Sequence, residues 1–332
     1  RYWGPVQPAF DRIIWRSIEN DSARLTTFRN GDIDSYGSRP IEYRKLVEDK
    51  DLAKKAEHWE YMSPTGGYSY IGWNQQQEGK PTRFADQRVR QAMTYLIDRE
   101  RIIKEIYLGY AEVTMSPFNA NSKQHDPGLA SRPYDQEKGM QLLREVGYED
   151  RDGDGVLEDQ AGDPFEFELV YFQGNEDTGR MVLFLKDLLA RAGILLKPKP
   201  TEWSVMIDLM NKRKFEAITL GWTGGLETDL YQIFHSSQIE GTGNNFVNYR
   251  NPELDRLIEE ARATVDEEKR MPLWRAAERE LYQDQPYTFL MRGKSLVFID
   301  RRIKNVVNTK LGLNFGSLPM ENYVPSSEQR YQ

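Results

Sequence analysis

A run of alternating strand and helix patterns between residues 165 and 222 constrains the fold more than any other part of the chain. Three apolar segments in this run, FEFELVYF, ILLKPK and FEAITLGW, have the length and composition of strands. The intervening residues 180–192, ended by Gly193, and residues 202–211 have the periodicity of helices. This β-α-β-α-β order favours a parallel sheet that collects ligands at the carboxyl ends of its strands. Trp222 ends the third strand, so we expect it to lie beside a binding site.

The remaining segments continue this mixture of helices and strands, with capping residues ahead of apolar-periodic stretches and glycines behind them. We expect strands at residues 12–18, 32–36, 58–62, 68–74, 288–292 and 295–299. We expect helices that begin at Asp21, Pro40, Asp86, Asp98, Asp135, Asn251-Pro252 and Asp266. Asp21 is the predicted N-cap of the first helix, which ends at Asn30-Gly31. The predicted fold class is therefore α/β.

The composition excludes several classes of function. A length of 332 residues is typical of about two domains with a substantial core. The absence of cysteine excludes disulfides, thiolate metal sites and cysteine nucleophiles. No stretch approaches the roughly 18 apolar residues of a membrane helix. A net charge of −7, spread along the chain, argues against a nucleic-acid partner.

Several ordered segments carry a resemblance to a known family. They are GWTGG from Gly221, then HSSQ, NPELDRLIEEARATVDEEKR and DQPYTFL, together with FRNGDIDSY from Phe28 and DQRVRQAMTYLIDRERIIKEIYLGYAE from Asp86. In this combination the chain resembles the extracytoplasmic solute-binding proteins of peptide and nickel ABC importers, family 5. The resemblance implies a type II periplasmic-binding-protein-like α/β fold, with two lobes of mixed sheets joined by a hinge.

The resemblance also implies a division of the chain. Residues 1–80 and 294–332 would form the first lobe, left incomplete because family members usually carry a further small domain ahead of the segment YWGPVQPAFDRIIW. Residues 81–293 would form the second lobe. The chain is therefore expected to be a C-terminal fragment.

The function that the resemblance implies is delivery of a solute to the membrane permease of an ABC importer. The solute would be a peptide or another small polar molecule bound between the lobes, without catalysis. The implied location is periplasmic or otherwise extracytoplasmic, with lipid anchoring, if any, through a segment ahead of Arg1. Two alternatives stay open: a hydrolase with paired carboxylates among Glu227, Asp229 and Glu240, and a ligand-sensing domain on the same fold.

The candidate ligand-binding residues follow strands or combine aromatic rings with amides, as ligand pockets do. Glycines directly after a strand let backbone amides approach a ligand, although they equally suit a tight turn. The buried-aromatic pattern likewise suits an ordinary core. The candidates are Trp222, Thr223, Gly224, Gly225, Asp229, Asn245, Phe246, Tyr249, Phe172, Gln173 and Trp203.

The resemblance implies two charged clamps for free dipeptides, and the sequence departs from both. An aspartate that pairs with the peptide ammonium is expected where this chain has Gly225, with Glu227 and Asp229 as nearby replacements. An arginine that holds the peptide carboxylate is expected in the loop at residues 172–175, which has none, and Arg180 falls within the next helix. Free dipeptides are therefore poor candidates for the solute.

The loop DRDGDGVLED resembles the opening of a calcium-binding loop, with oxygen-bearing residues at alternate positions and glycine at the sixth. The candidate metal ligands are Asp150, Asp152, Asp154, Val156, Glu158 and Asp159. Ala161 occupies the twelfth position, where a bidentate glutamate is usual, so an acidic surface turn is the alternative. No other cofactor is expected. His58, His125 and His235 lack metal-ligand spacing, and HSS at 235–237 is expected to be structural.

Overall fold

A computed structural model describes residues 8–18, 20–315 and 320–330 of the chain. The chain divides into two compact units, a smaller one formed by Arg1–Gly66 and Gly293–Gln332 and a larger one formed by Gly67–Arg292.

The described residues form helices and strands in a mixed order. The helices are α1 Asp21–Asn30, α2 Pro40–Leu46, α3 Lys50–Lys55, α4 Gln87–Leu96, α5 Arg99–Glu105, α6 Gln136–Glu145, α7 Glu176–Ala190, α8 Trp203–Lys212, α9 Tyr231–Phe234, α10 Pro252–Ala263 and α11 Glu267–Asp284. The strands are β1 Ser35–Gly37, β2 Ala56–Tyr61, β3 Tyr68–Trp73, β4 Gln76–Gln77, β5 Lys80–Pro81, β6 Ala111–Val113, β7 Glu166–Phe172, β8 Leu195–Thr201, β9 Ala217–Trp222, β10 Tyr287–Gly293, β11 Ser295–Asp300, β12 Asn308–Thr309 and β13 Gly312–Leu313. Among the helices described, none combines the length and apolar character that crossing a membrane requires.

The smaller unit contains an antiparallel three-stranded sheet in the order β1-β11-β2. Helix α1 ends as predicted at Gly31, whose φ of 80° is the left-handed conformation that glycine adopts without strain. Its N-cap is Asn20 rather than the predicted Asp21, because the Asn20 side chain accepts the backbone N–H of Ala23. Strand β1 is shorter than the predicted 32–36 and begins three residues later.

The strand predicted at residues 12–18 is absent, because this segment pairs with no other strand in the described part of the chain. Its apolar side chains face solvent instead, and Ile14 and Trp15 are each 70% exposed. Alternation of apolar residues predicts a strand only where a partner strand satisfies the backbone.

The larger unit contains a six-stranded sheet in the order β6-β10-β3-β9-β7-β8. Strand β7 pairs in parallel with β8 and with β9, which confirms the β-α-β-α-β unit. Strand β3 pairs antiparallel with β9 and β10, so the sheet is mixed. Helix α7 starts at Glu176, earlier than the predicted Arg180, because the side chain of Asn175 caps it by accepting the N–H of Thr178.

Two apolar clusters pack against opposite faces of this sheet, and successive residues of β7 alternate between them. Leu169 belongs to the cluster that contains residues of α4, α6 and α7, whereas Val170 belongs to the cluster that contains residues of α8, α10 and α11. Both residues are fully buried. The near-continuous apolar pattern of β7 is explained by this burial on both faces.

Strand β8 lies at one edge of the sheet and contains two prolines. Pro198 pairs opposite Leu169, and Pro200 pairs opposite Tyr171. Proline has no backbone N–H, so in sheets it is confined to edge strands and similar positions.

The boundary between the compact units differs from the predicted crossing near Lys80. Strand β3 lies inside the six-stranded sheet, so the first boundary falls at Gly66 and Gly67, about 14 residues earlier. The second boundary, at Gly293, lies next to the predicted crossing at Lys294. A Cβ atom at Gly67 would lie 2.0 Å from the carbonyl oxygen of Trp222, so only glycine fits this close backbone approach. The assignment of the units to two lobes of a binding protein stays a prediction.

Candidate functional site

The carboxyl ends of the three parallel strands place several predicted site residues along one edge of the large sheet. Phe172 ends β7, Thr201 ends β8 and Trp222 ends β9. Since parallel strands end at the same edge, the loops that follow Phe172 and Trp222 and the start of α8 after Thr201 share this edge. We call it the strand-end edge.

Trp222 is held in a series of parallel aromatic rings. Tyr287 and Tyr70 stack with their ring centroids 3.9 Å apart, Tyr70 and Trp222 lie at 6.4 Å, and Trp222 and Phe246 lie at 6.2 Å. A side chain at Gly72 would crowd the rings of Tyr70 and Tyr287 at 3.2 Å. Burial raises the pKa of Tyr287 to about 12, so this phenol is neutral at physiological pH. These ring contacts, all within the larger unit, fix the orientation of the Trp222 side chain.

The carboxylates that follow Trp222 are already paired. Glu227 accepts hydrogen bonds from Arg270 at 2.7 and 3.1 Å and from the indole Nε1 of Trp274 at 3.3 Å. The hydrogen bond from Arg270 is the main reason that the pKa of Glu227 lies below its usual value. Asp229 forms an ion pair with Arg262 at 3.0 Å. A ligand ammonium would have to compete with an arginine for either carboxylate.

Backbone groups approach each other closely in the loop directly after Trp222. A Cβ atom at Gly225 would lie 3.2 Å from the carbonyl oxygen of Glu227, closer than most side chains tolerate. This close approach of the backbone accounts for glycine at position 225. Thr223 is exposed and Gly224 is half-buried, so both can be reached by a ligand at the strand-end edge.

Asn245 and Tyr249 lie in the interior, and protein groups occupy their polar atoms. The Asn245 amide is fully buried, donates to the carbonyl oxygens of Tyr249, His235 and Phe234, and accepts the N–H of Tyr249. The Tyr249 hydroxyl donates to Asp284 at 2.6 Å. In this structure these two residues hold the loop that carries Phe246, and they present no polar atom to a ligand.

Phe172 and Trp203 form an exposed aromatic pair at the strand-end edge. Their ring centroids are 5.9 Å apart with the rings nearly perpendicular, and the side chains are 36% and 51% exposed. Gln173 is also exposed, and its backbone N–H donates to Thr201 at 3.1 Å, which continues the ladder between β7 and β8.

The acidic loop brings four of its six predicted metal ligands together. One carboxylate oxygen from each of Asp150, Asp152, Asp154 and Glu158 lies within 4.8 Å of the others. The three aspartates are exposed and Glu158 is buried. Asp159 is not in this group, because its carboxylate accepts the N–H groups of Ala161 and Asp163 in the next turn. The backbone N–H of Val156 donates to Asp154 at 2.8 Å.

The carboxylates of the hydrolase alternative have separate surroundings. Glu227 and Asp229 are each paired with a different arginine, and Glu240 is exposed. His235 lies 2.8 Å from Ser237 Oγ through Nδ1, but the same nitrogen accepts the backbone N–H of Ser237 at 3.1 Å. The imidazole thus caps a short 3₁₀ turn.

Sequence reasoning missed the residues that support the site. Tyr70 and Tyr287 align Trp222, but only Tyr70 lies in a predicted strand, and Tyr287 comes just before the strand predicted at 288–292. The alternating aromatics of YSYIGW are a signal for a stack. Arg262 and Arg270 lie in segments where acidic and basic residues three and four positions apart are typical of a solvated helix face. Their pairing with Asp229 and Glu227 depends on contacts between residues 33 to 43 positions apart, which no local pattern reveals.

Comparison with solved structures identifies the fold class of the protein. The mixed sheets with helices on both faces match the B. subtilis oligopeptide-binding protein AppA, solved in complex with a nonapeptide, with a TM-score of 0.80 and 28% identity over 93% of this chain and 59% of that one. The fold is therefore that of the type II periplasmic binding proteins, as predicted.

The family follows from the sequence. Residues 1–243 match the profile of the bacterial extracellular solute-binding proteins, family 5 (middle), and the chain belongs to this family. It is 32% identical to the oligopeptide-binding protein AppA of Bacillus subtilis (strain 168) over 86% of this chain and 51% of AppA. It is 27% identical to the glutathione-binding protein GsiB of Pectobacterium atrosepticum over 87% of this chain and 53% of GsiB. The chain thus spans about half the length of these curated relatives.

Proposed function

We propose that the protein is the solute-binding component of an ABC importer, that it binds a peptide or another small peptide-like solute, and that it performs no catalysis. Membership of the solute-binding family over residues 1–243 is the observation that carries this proposal. The names of the relatives, an oligopeptide-binding and a glutathione-binding protein, favour a solute with peptide bonds. The implied partner is the importer's membrane permease.

The geometry of the larger unit supports binding at the strand-end edge. Trp222 is fixed by its ring contacts, Thr223 is exposed beside it, and Phe172 and Trp203 present aromatic surface from the neighbouring strand ends. Such a combination of apolar surface with a few polar groups suits a ligand site. Asn245 and Tyr249 enter this proposal only as supports of the loop that carries Phe246.

Titration calorimetry on the full-length protein tests the function. Peptides of two to nine residues and glutathione would be titrated separately, and the unfolding temperature would be measured with each. Binding with a dissociation constant of about 10 μM or tighter, accompanied by an increase in unfolding temperature, is the expected result. If none of these solutes binds, the proposal of a peptide-like solute is wrong.

The effect of the protein on a permease complex distinguishes an importer component from a sensing domain on the same fold. An importer component is expected to stimulate ATP hydrolysis by its own permease complex reconstituted in vesicles. A sensor would leave that rate unchanged with solute present.

We also propose that the acidic loop binds a divalent cation such as Ca²⁺ in a structural role. The convergence of oxygens from Asp150, Asp152, Asp154 and Glu158 within 4.8 Å supports this, since Ca²⁺ takes six to eight oxygen ligands. If so, about 1 mM Ca²⁺ raises the unfolding temperature of the wild type and leaves that of Asp152→Ala unchanged, since alanine removes the oxygen ligand. Equal unfolding temperatures with Ca²⁺ and with a chelator would identify the loop as an acidic surface turn.

The extracytoplasmic location agrees with the family description. Lipid anchoring remains a further proposal, tested by labelling the full-length protein with a fatty acid in its host.

A further inference from the structure

One buried glutamine holds the backbone of the loop that follows Trp222. Gln124 is 2% exposed, and its side-chain amide makes two hydrogen bonds to the backbone of Thr228. Its Nε2 donates to the carbonyl oxygen at 2.9 Å, and its Oε1 accepts the N–H at 2.7 Å. In the described part of the chain, the backbone of residues 224–229 makes no other hydrogen bond. Because donor and acceptor must align together, this pair of bonds fixes both the position and the orientation of the loop.

The other contacts of this loop are made by side chains that water reaches. Glu227 and Asp229 are each paired with an arginine, and their side chains are 44% and 52% exposed. The indole of Trp274 adds a hydrogen bond to Glu227 at 3.3 Å. Ion pairs in contact with water contribute little to holding a structure, so the position of the loop backbone depends mainly on Gln124.

Gln124 reaches the loop from an irregular segment that is anchored on α11. On one side of Gln124, the carbonyl oxygen of Lys123 accepts a hydrogen bond from this helix at 3.1 Å. On the other side, the fully buried carboxylate of Glu278 accepts the backbone N–H of Asp126 at 2.6 Å. The same carboxylate lies 2.8 Å from Nδ1 of His125. The glutamine therefore has a fixed base, although neither its segment nor the loop it holds is a helix or strand.

Resting on the proposed function, we propose that Gln124 is a positioning residue for solute binding. The ring contacts of Trp222 fix the start of the loop, and Gln124 fixes it at Thr228. Thr223 and Gly224, which a ligand can reach, lie between these two points. Since Gln124 is itself buried, it acts through the loop and not by contact with the solute. It keeps the loop in the binding-competent position before the solute arrives.

The two rate constants of binding distinguish this role from a direct contact. A loop that is in the competent position for only part of the time lowers the apparent affinity by that fraction. The loss then falls on the association rate, whereas the dissociation rate of the bound state is unchanged. Removal of a direct solute contact would instead speed dissociation.

Gln124→Met in the full-length protein tests the proposal, because methionine keeps the length of the side chain but lacks the paired donor and acceptor. The probe is the peptide of two to nine residues that the wild type binds most tightly. Stopped-flow fluorescence is expected to show association slowed about tenfold and dissociation changed by less than about twofold. In the free protein, hydrogen exchange followed by mass spectrometry is expected to be at least about tenfold faster at residues 224–229 and unchanged in β9.

The matched control is Lys123→Met, the same substitution at the neighbouring residue, whose ammonium forms an exposed ion pair with Glu267 at 2.7 Å. It is expected to leave both rates and the exchange within about twofold of the wild type. If Gln124→Met does not fold, Gln124→Glu takes its place with the same direction of change, since it loses the donor to Thr228.

Three results would overturn the positioning role of Gln124 and leave the proposed function intact. They are a variant with the association rate or the loop exchange of the wild type, a variant with faster dissociation, and a Lys123→Met protein with the same changes. If the wild type binds none of the peptides, the proposed function fails and the role in solute binding fails with it. The exchange measurement then still decides whether Gln124 holds the loop.

Discussion

Substitution of Asn245 tests whether this residue holds the protein together or contacts the solute. Its amide makes four hydrogen bonds at a fully buried position, and the two with Tyr249, at 2.8 and 3.1 Å, have the best distances. Asn245→Ala leaves the N–H and carbonyl of Tyr249 without partners and out of reach of water. A buried polar group without a partner costs about 1–3 kcal/mol. We therefore expect a loss of about 2–4 kcal/mol in the free energy of unfolding.

The neighbouring Asn244 is the matched control, because its side chain is only half-buried and its described hydrogen bonds, with Gln232 and Phe246, are made by the backbone. Asn244→Ala is expected to change stability by less than about 0.5 kcal/mol. Urea denaturation followed by circular dichroism measures both variants. Calorimetry should show the unfolding temperature of Asn245→Ala lowered by roughly 5–15 °C, at about 2–4 °C per kcal/mol for a domain of this size.

The reasoning is refuted if Asn245→Ala is as stable as the wild type, or if both asparagine variants lose the same stability. A stable Asn245→Ala protein that no longer binds its solute would restore Asn245 as a direct ligand contact.

Two further predictions concern the loop around Trp222. Gly67→Ala places a Cβ atom against the Trp222 carbonyl oxygen and is expected to lower the free energy of unfolding by about 3 kcal/mol. Gly37→Ala is the control, with nothing within 4 Å of the added Cβ, and is expected to lower it by less than about 1 kcal/mol. Equal losses of stability in urea denaturation would contradict this prediction. The hydrogen bond with Arg270 lowers the pKa of Glu227 in the folded protein below its unfolded value of about 4.3. The ionised carboxylate therefore stabilises the fold above about pH 4.3, and this stabilisation is lost as the pH falls through the folded pKa. Glu227→Gln should therefore flatten the dependence of unfolding temperature on pH between about pH 5 and pH 3, and an unchanged dependence would show that the pair contributes nothing.

Local patterns predicted the elements that form the site but not the contacts between them. The strands ending at Phe172 and Trp222 were expected because continuous apolar segments between turn signals suit strands buried on both faces. The start of α10 was equally clear, since Asn251 caps it and Pro252 occupies its first turn. These features depend on residues that are close together in the sequence, so one sequence is enough to predict them.

The features that the sequence did not predict depend on contacts between residues far apart in the chain. Asn244 and Asn245 are adjacent asparagines that no local pattern distinguishes. Only the side chain of Asn245 is described as donating to buried carbonyl oxygens, those of His235 and Tyr249. The segment at 12–18 alternates like a strand but has no partner strand within the described residues. The domain boundary was predicted too late because nothing local to Tyr68–Trp73 reveals that its partners are β9 and β10, more than 140 residues later.

The two prolines of β8 limit how an extended chain can approach the large sheet. Pro198 and Pro200 are two residues apart, so their nitrogens lie on the same side of the strand. Since the ladder with β7 requires N–H donors, that side is the outer one. Two successive donor positions that a seventh strand would need are therefore missing. Strand addition by a peptide along this edge is therefore disfavoured, and so is the joining of the sheets of two copies of the protein, which is how prolines on edge strands oppose aggregation.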